Sequence, residues 1–199
     1  QHGYTFCTWL RVESFDDPTG APKFQPRLFS LLNRHGMGIE AWFSDKLVEQ
    51  GGRHQYASVL TINCIGSNGK PYHVTFDQHL FRPLVWTFVA ISHSNSTRFP
   101  WKESECKLFI DGQLRQKVSL KYPLLTQPLD LCRIGSNAEI QSPRLLLYRE
   151  SSFYGQIGTI YMFEDVLNHT HIKAIHSLGP NYSSSFQPSD ISLFDSHSS

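Results

Sequence analysis

The sequence predicts an all-β protein, a two-sheet antiparallel jelly-roll sandwich with one short helix near the C-terminal end. Short segments rich in β-branched and aromatic residues recur along the chain, and clusters of Gly, Asn and Pro separate them. Two of these segments flank Asp111-Gly112, a pair that supplies the positive φ values of a type I′ hairpin turn. Evenly spaced short strands joined by hairpins favour a sandwich over a parallel sheet.

The first half of the chain predicts five strands. The opening strand alternates as a pleated strand does, with Tyr4 and Phe6 on one face and Cys7 and Trp9 on the other. The turn signal Gly66-Ser67-Asn68-Gly69 predicts a hairpin between the last two. In chain order the predicted strands are residues 3–12, 27–32, 39–43, 57–63 and 72–76.

The second half predicts five more strands, at residues 86–93, 106–110, 113–120, 131–136 and 153–163. The last of these has apolar residues on both faces, which indicates a central strand covered on both sides. Gly155 and Gly158 then mark places where another backbone or a bulky side chain comes close.

One short helix follows the last strand. Asn168 is a typical N-cap residue, and Ile172, Ile175 and Leu178 recur every three residues to form an apolar stripe. Gly179 suits the left-handed position just past a helix, and the next residue, a proline, cannot continue it. We therefore predict a helix that ends at this glycine.

Composition limits the possible partners. The charges nearly balance, at a net +1, so we expect no nucleic-acid partner, and no apolar run is long enough to predict direct membrane insertion. The chain begins at Gln1 rather than Met, so we expect a segment of a longer protein. One domain at residues 1–182 and a Ser-rich flexible tail or linker at residues 183–199 are predicted.

Four cysteines are present, and none forms a Cys-x-x-Cys pair, which disfavours a zinc knuckle or a redox motif. A core of this size needs no covalent staple, so we expect free thiols, with a disulfide as the alternative. The cysteines are Cys7, Cys64, Cys106 and Cys132.

Several sequence motifs in fixed order resemble the concanavalin A-like (laminin G-like) superfamily. They read W-x-F-V-A-I-x-H from residue 86, C-K-L-F-I-D-G-Q-L from residue 106, C-R-I-G-S from residue 132 and G-Q-I-G-T-I-Y-M-F from residue 155. The opening G-Y-T-F-C-T-W-L-R and the later A-I-H-S-L-G, with Tyr182 and Phe186 after it, resemble more narrowly a domain of neurobeachin-type BEACH proteins. The resemblance spans residues 3–186.

This resemblance implies a non-catalytic interaction or scaffolding module within a large cytosolic protein of vesicle or membrane trafficking. The implied partners are other proteins or other domains of the same chain, and the implied location is cytoplasmic, peripheral to endomembranes through those other domains. An extracellular glycan-binding or adhesion module of the laminin G-like type is the alternative. Glycan binding is not favoured, and sequons at Asn95, Asn168 and Asn181 would be glycosylated only in a secreted protein.

The sequence predicts no enzymatic activity and no cofactor. The carboxylates of Glu103 and Glu105 and the pairs Asp16-Asp17 and Glu164-Asp165 are read as solvated loop charges rather than as a glycosidase pair. The spacing of His171 and His176 does not suit a helical metal pair, and capping or surface roles are expected. Calcium is disfavoured because Asp77, Asp111, Asp130 and Asp165 are scattered singly.

One loop predicts a binding surface. Residues 94–102 join two core strands and place two aromatic side chains beside two cations, which are the usual anchors of protein contacts. The candidate partner-binding residues are Arg98, Phe99, Trp101 and Lys102. The alternative is that Trp101 folds back and covers the edge of the sandwich.

Overall fold

The computed structural model describes residues 3–15, 25–50, 53–95, 104–136 and 152–186. These ranges form ten β-strands in two antiparallel five-stranded sheets, together with one α-helix. The predicted all-β class with a single short helix near the C-terminal end is confirmed. This described part contains no helix that is both long and apolar enough to cross a bilayer.

The strands follow the predicted order, and β3, β4 and β5 are longer than predicted. They are β1 Gly3–Ser14, β2 Arg27–Leu32, β3 Gly38–Gln50, β4 Arg53–Ile65, β5 Pro71–Phe81, β6 Trp86–Ser94, β7 Glu105–Ile110, β8 Gln113–Ser119, β9 Leu131–Ile134 and β10 Tyr154–Phe163. The helix, α1, spans His169–Ser177.

One sheet has the strand order β10-β1-β6-β7-β8. Its middle strand, β6, pairs with β1 and β7 and is buried from its second residue to its last. The helix supplies apolar side chains to the core on this sheet, and burying them stabilises both elements. The buried core residues here are Cys7, Phe88, Ala90, Phe109, Leu167, Ile172 and Ile175.

Strand β10 is the outermost described strand of this sheet, so its predicted central position is wrong. Tyr154 and Met162 expose 40% and 46% of their surface. Tyr161 and Phe163 lie on one face of this strand. They contact Phe186 from the segment after α1. The apolar residues on both faces of β10 therefore do not indicate that the strand has a hydrogen-bonded neighbour at each edge.

The segment after α1 packs on β10 as far as Phe186. The phenol of Tyr161 donates to the carbonyl oxygens of Tyr182 and Ser184, at 3.2 and 3.1 Å. Phe186 packs against the core with its ring centroid 4.8 Å from that of Tyr161. These contacts extend past the boundary predicted after residue 182, and residues 187–199 of the predicted linker lie outside the described residues.

The β7–β8 hairpin has the predicted turn. Asp111 and Gly112 have φ of 50° and 73°, both in the left-handed region that a type I′ turn uses. A side chain at Gly112 would also meet the imidazole of His176 at 3.2 Å. The glycine is therefore needed both for its backbone conformation and for the space that the helix occupies.

Helix α1 begins and ends where predicted. The Asn168 side chain accepts a hydrogen bond from the backbone N–H of His171, and Gly179 adopts φ +80°. Only part of the apolar stripe is buried: Ile172 and Ile175 are in the core, whereas Leu178 is 39% exposed. Leu178 is the C-cap residue, one position past the last residue of the helix, so the buried part of the stripe ends at Ile175.

The other sheet has the order β5-β4-β3-β2-β9, and a long β3–β4 hairpin runs from the Gly38–Ile65 pair to the Gln50–Arg53 pair. Residues 39–43 and 57–63 were predicted as the strands, so the first prediction stops too early and the second starts too late. The added parts carry polar side chains, such as Asp45 and Lys46, that break the apolar pattern. Backbone pairing continues regardless, because the ladder uses only main-chain N–H and C=O groups.

The four thiols are free, and three of them are buried. Burial raises the pKa of Cys64 to about 12 and raises that of Cys7 still further, because an apolar interior disfavours the thiolate. Cys106 is buried and Cys132 is exposed.

We therefore expect one fast-reacting thiol in the native protein. Titration with an aromatic disulfide reagent should release about one equivalent rapidly, and the remaining thiols should react only in denaturant, because the thiolate is the nucleophile. The Cys132→Ser variant should lose the fast phase. Two or more fast thiols in the native protein would contradict the burial described for the other cysteines.

Candidate functional site

The predicted partner-binding residues, Arg98, Phe99, Trp101 and Lys102, lie outside the described residues. The structure does describe the two strand ends between which they run. The last pair of the β6–β7 ladder is Ser94 with Glu105, so the loop leaves and re-enters the sheet at neighbouring positions.

This strand-end pair is held by side chains as well as by the ladder. The Ser94 hydroxyl donates to the Glu105 carbonyl and accepts from the Glu105 N–H, both at 3.3 Å. The Glu105 carboxylate pairs with Lys117 at 2.7 Å and with Lys107 at 3.7 Å. The two strand ends that the loop connects are therefore held together by ladder, side-chain and ion-pair contacts.

Two of the residues predicted as solvated loop charges, Glu105 and Asp165, have structural partners. Glu105 pairs with lysines, and Asp165 Oδ1 accepts from the backbone N–H of Val166 at 2.7 Å. The carbonyl of Asp165 also accepts from the Thr5 hydroxyl at 2.8 Å, which joins the end of β10 to β1. Asp16, Asp17 and Glu103 lie outside the described residues.

Three aspartates that were weighed as calcium ligands are each engaged elsewhere. Asp77 pairs with Lys46 at 2.6 Å and Asp130 with Arg34 at 3.0 Å. Asp111 Oδ1 accepts from the backbone N–H of Phe88 at 3.0 Å. Over the described ranges, no three His, Cys, Asp or Glu side chains are grouped so that they could hold a metal ion.

His176 packs against aromatic rings, whereas a capping or surface role was expected. Its ring stacks on Trp9 at 5.2 Å with an interplanar angle of 25°, and it lies 5.5 Å from the ring of Phe88. His169 stacks in the same way near Phe109, at 6.3 Å. The aromatic residues that these histidines contact are far away along the chain, so the spacing of the histidines could not predict the contacts.

A second surface feature was also missed: a cleft of about 170 Å³ beside the β4–β5 turn. We call it the Tyr72 cleft. Segment 121–124 lies across the turn, and the Ser67 N–H donates to the Leu124 carbonyl at 3.1 Å. The residues that line the cleft are Cys64, Gly66, Ser67, Asn68, Tyr72, Lys121, Tyr122, Pro123 and Leu124.

The rim of the Tyr72 cleft is positively charged. The ammonium groups of Lys121 and Lys70 lie 5.0 and 5.7 Å from the centroid of the Tyr72 ring. A side-chain hydrogen bond with Asn68 lowers the pKa of Tyr72, and both lysine charges lower it further because they favour the phenolate. The Asn68 side chain is itself held in place, since its Oδ1 accepts from the Lys70 N–H at 3.0 Å.

The floor of this cleft is uncharged. Cys64 is buried and stays a thiol, and burial raises the pKa of the half-buried Tyr122. Pro123 is buried, whereas Leu124 exposes 62% of its surface at the edge. The cleft therefore combines an apolar interior with a cationic rim, an arrangement suited to an amphipathic ligand that carries negative charge.

Comparison by sequence finds similar proteins over nearly the whole chain. A neurobeachin homolog of Caenorhabditis elegans is 30% identical over 188 residues, which are 94% of this chain and 6% of that protein. BEACH domain-containing protein B of Arabidopsis thaliana is 31% identical over 195 residues, covering 92% of this chain and again 6% of the relative. The chain thus spans a small part of the relatives it matches. No protein-family model matches it.

Comparison by structure shows the fold alone. The crystal structure of HCR/D-Sa-GBL1/C superimposes with a TM-score of 0.51 at 12% identity, covering 89% of this chain and 36% of that one. The crystal structure of an HCR/D mutant superimposes with a TM-score of 0.50, covering 89% and 37%. These neighbours are jelly-roll sandwich domains, so the jelly-roll class predicted from the strand pattern is confirmed.

Proposed function

We propose that this chain, a concanavalin A-like domain of the neurobeachin-like BEACH type, is a non-catalytic protein-interaction module of a large protein. The observation that carries the proposal is the extent of the similarity. It covers more than nine-tenths of this chain but only 6% of each relative described above. A domain that forms so small a part of a long polypeptide suits a role in contacting other domains or other proteins.

The wider setting of the domain is part of the same proposal. The relatives are BEACH proteins, and we propose a scaffold that acts in vesicle or membrane trafficking in the cytoplasm. The domain would contact protein partners or other domains of its own chain, while those other domains attach the protein to endomembranes. The structural use of the described carboxylates, in ion pairs and backbone hydrogen bonds, supports a non-catalytic role.

The loop at residues 94–102 is the proposed contact surface. Its residues Arg98, Phe99, Trp101 and Lys102 combine aromatic and cationic side chains, the types most enriched at the centres of protein interfaces. The paired and hydrogen-bonded strand ends at Ser94 and Glu105 support this role. A fixed base reduces the entropy that a loop loses when it binds.

The double variant Phe99→Ala with Trp101→Ala should weaken partner capture by roughly thirtyfold, because one interface aromatic commonly contributes more than about 2 kcal/mol. Its thermal midpoint should stay near that of the wild type. The measurement is quantitative capture of cytosolic proteins by the immobilised 199-residue chain, with mass spectrometry to identify them. A glycan array is probed in parallel with the same protein.

The matched control is Leu114→Ala with Leu178→Ala, which removes two exposed apolar side chains elsewhere and should leave capture unchanged. If the aromatic variant retains capture and its thermal midpoint falls by many degrees, those rings belong to the core and the loop is not the surface. Binding to the glycan array without specific protein capture would replace the interaction role with the lectin alternative.

A further inference from the structure

We propose that the Tyr72 cleft binds an acidic linear peptide, with a carboxylate held between Lys70 and Lys121 and an aliphatic side chain packed against Leu124. The peptide belongs to a separate protein partner. The inference deepens the proposed interaction function, on which it rests, by adding a second contact surface with a stated ligand chemistry.

The size of the cleft fits one side chain of a peptide. An apolar cavity of roughly 150 Å³ holds a single benzene ring, whereas pockets for drug-sized ligands run from roughly 300 to 1,000 Å³. The volume of the Tyr72 cleft, about 170 Å³, is close to that of the cavity that holds one benzene ring. It therefore suits an anchor side chain, with the rest of the ligand lying on the surface around it.

The charge around the cleft selects an acidic ligand. None of its nine lining residues is acidic, and two ammonium groups flank the Tyr72 ring at 5.0 and 5.7 Å. A side-chain hydrogen bond with Asn68 lowers the pKa of Tyr72 first, and the charges of the two lysines lower it further. A carboxylate bound beside the Tyr72 ring would be attracted by both lysine charges.

The apolar edge favours a peptide over a membrane surface. Leu124 is 62% exposed, and its backbone is fixed by the Ser67 hydrogen bond, so the side chain is presented in a defined position. Recognition of anionic lipid by charge uses clusters of roughly four to eight Lys or Arg residues. The rim here offers two lysines, which match one or two carboxylates of a short motif.

The test uses a fluorescein-labelled nonapeptide in which Asp and Glu flank a central Leu, and an otherwise identical peptide with Asn and Gln in their place. Fluorescence anisotropy should show the 199-residue chain binding the acidic peptide at least tenfold more tightly than the neutral one. Raising the salt concentration should weaken that binding, because the lysines are exposed and screened by ions. Phosphatidylserine vesicles are tested alongside.

Two variants locate the binding. The double variant Lys70→Gln with Lys121→Gln should lower the affinity for the acidic peptide roughly tenfold, as expected for the loss of two exposed charge pairs. Arg115→Gln with Lys173→Gln removes the same net charge at two exposed positions elsewhere and should change the affinity less than about twofold. Leu124→Ser should weaken binding of the acidic peptide without altering the preference for it over the neutral one.

Three results would overturn the proposal: no preference for the acidic peptide, equal losses in the two lysine variants, or vesicle binding that depends on Lys70 and Lys121 without peptide binding. These results are separable from failure of the proposed function. Cytosolic capture that depends on Phe99 and Trp101 can persist while the cleft variants bind normally, in which case only the cleft inference fails.

Discussion

Replacing Arg27 with methionine should lower the free energy of unfolding by about 3 to 5 kcal/mol, because it leaves a buried carboxylate without its cation. The Arg27 and Glu40 residues expose only 1% and 4% of their surface, and their charged groups approach to 3.9 Å. The Ser30 hydroxyl donates to the same Glu40 oxygen at 3.0 Å, and the Arg27 guanidinium lies 4.4 Å from the Trp42 ring. Removing the arginine takes away the ion pair and the contact with Trp42, whereas the Ser30 hydrogen bond to Glu40 does not involve it.

Urea denaturation measures the loss, and two variants test its cause. Arg34→Met removes an exposed pair with Asp130 and should cost less than about 1 kcal/mol. The double variant Arg27→Met with Glu40→Leu should recover most of the stability, because replacing both partners with apolar groups removes the unpaired charge. A double variant as unstable as Arg27→Met alone would show that lost packing, not the orphaned carboxylate, dominates.

The Gly38→Ala variant should lose at least about 3 kcal/mol of stability. Gly38 has φ +146°, where an L side chain is strained, and a Cβ there would overlap the Leu31 carbonyl oxygen. The same Cβ would meet the Leu32 Cα and a Leu129 methyl at 3.0 Å. Because Gly38 pairs with Leu32 on β2 and with Ile65 on β4, the sheet has little freedom to move away.

Gly69→Ala is the matched control. Gly69 also has a positive φ, at +66°, but a Cβ there meets nothing within 4 Å. Its cost should be about 1 to 2 kcal/mol, from the backbone alone. Comparable losses from the two alanine variants, measured by urea denaturation, would show that β2 and β3 can separate enough to accept the Gly38 side chain.

Local patterns were enough to predict the number and order of the strands, the hairpin turn and the helix ends. Asp111-Gly112 has the positive φ values expected of it, and Asn168 and Gly179 occupy the predicted cap positions. Each of these features depends on residues within a few positions along the chain, so the sequence contains the whole cause. The ordered motifs from residue 86 onward likewise predicted the family resemblance, which is confirmed.

The surfaces were less predictable. The loop with Phe99 and Trp101 was found from residue types alone and remains a prediction. The Tyr72 cleft was missed because the hairpin signal at residues 66–69 indicates a turn and nothing about its neighbour. Lys121 and Leu124 reach that turn only through the tertiary fold, since more than fifty residues separate them from it along the chain.

The sequence by itself determined the class of fold, the identity and order of the elements and their turns, because backbone preferences and apolar periodicity act over short distances. The tertiary structure decided which strand lies at the edge, which histidine becomes a packing residue and which charges are buried together. Arg27 and Glu40 belong to different strands, and no local pattern in the sequence links them. They become a buried pair only because β2 and β3 align side by side in the sheet.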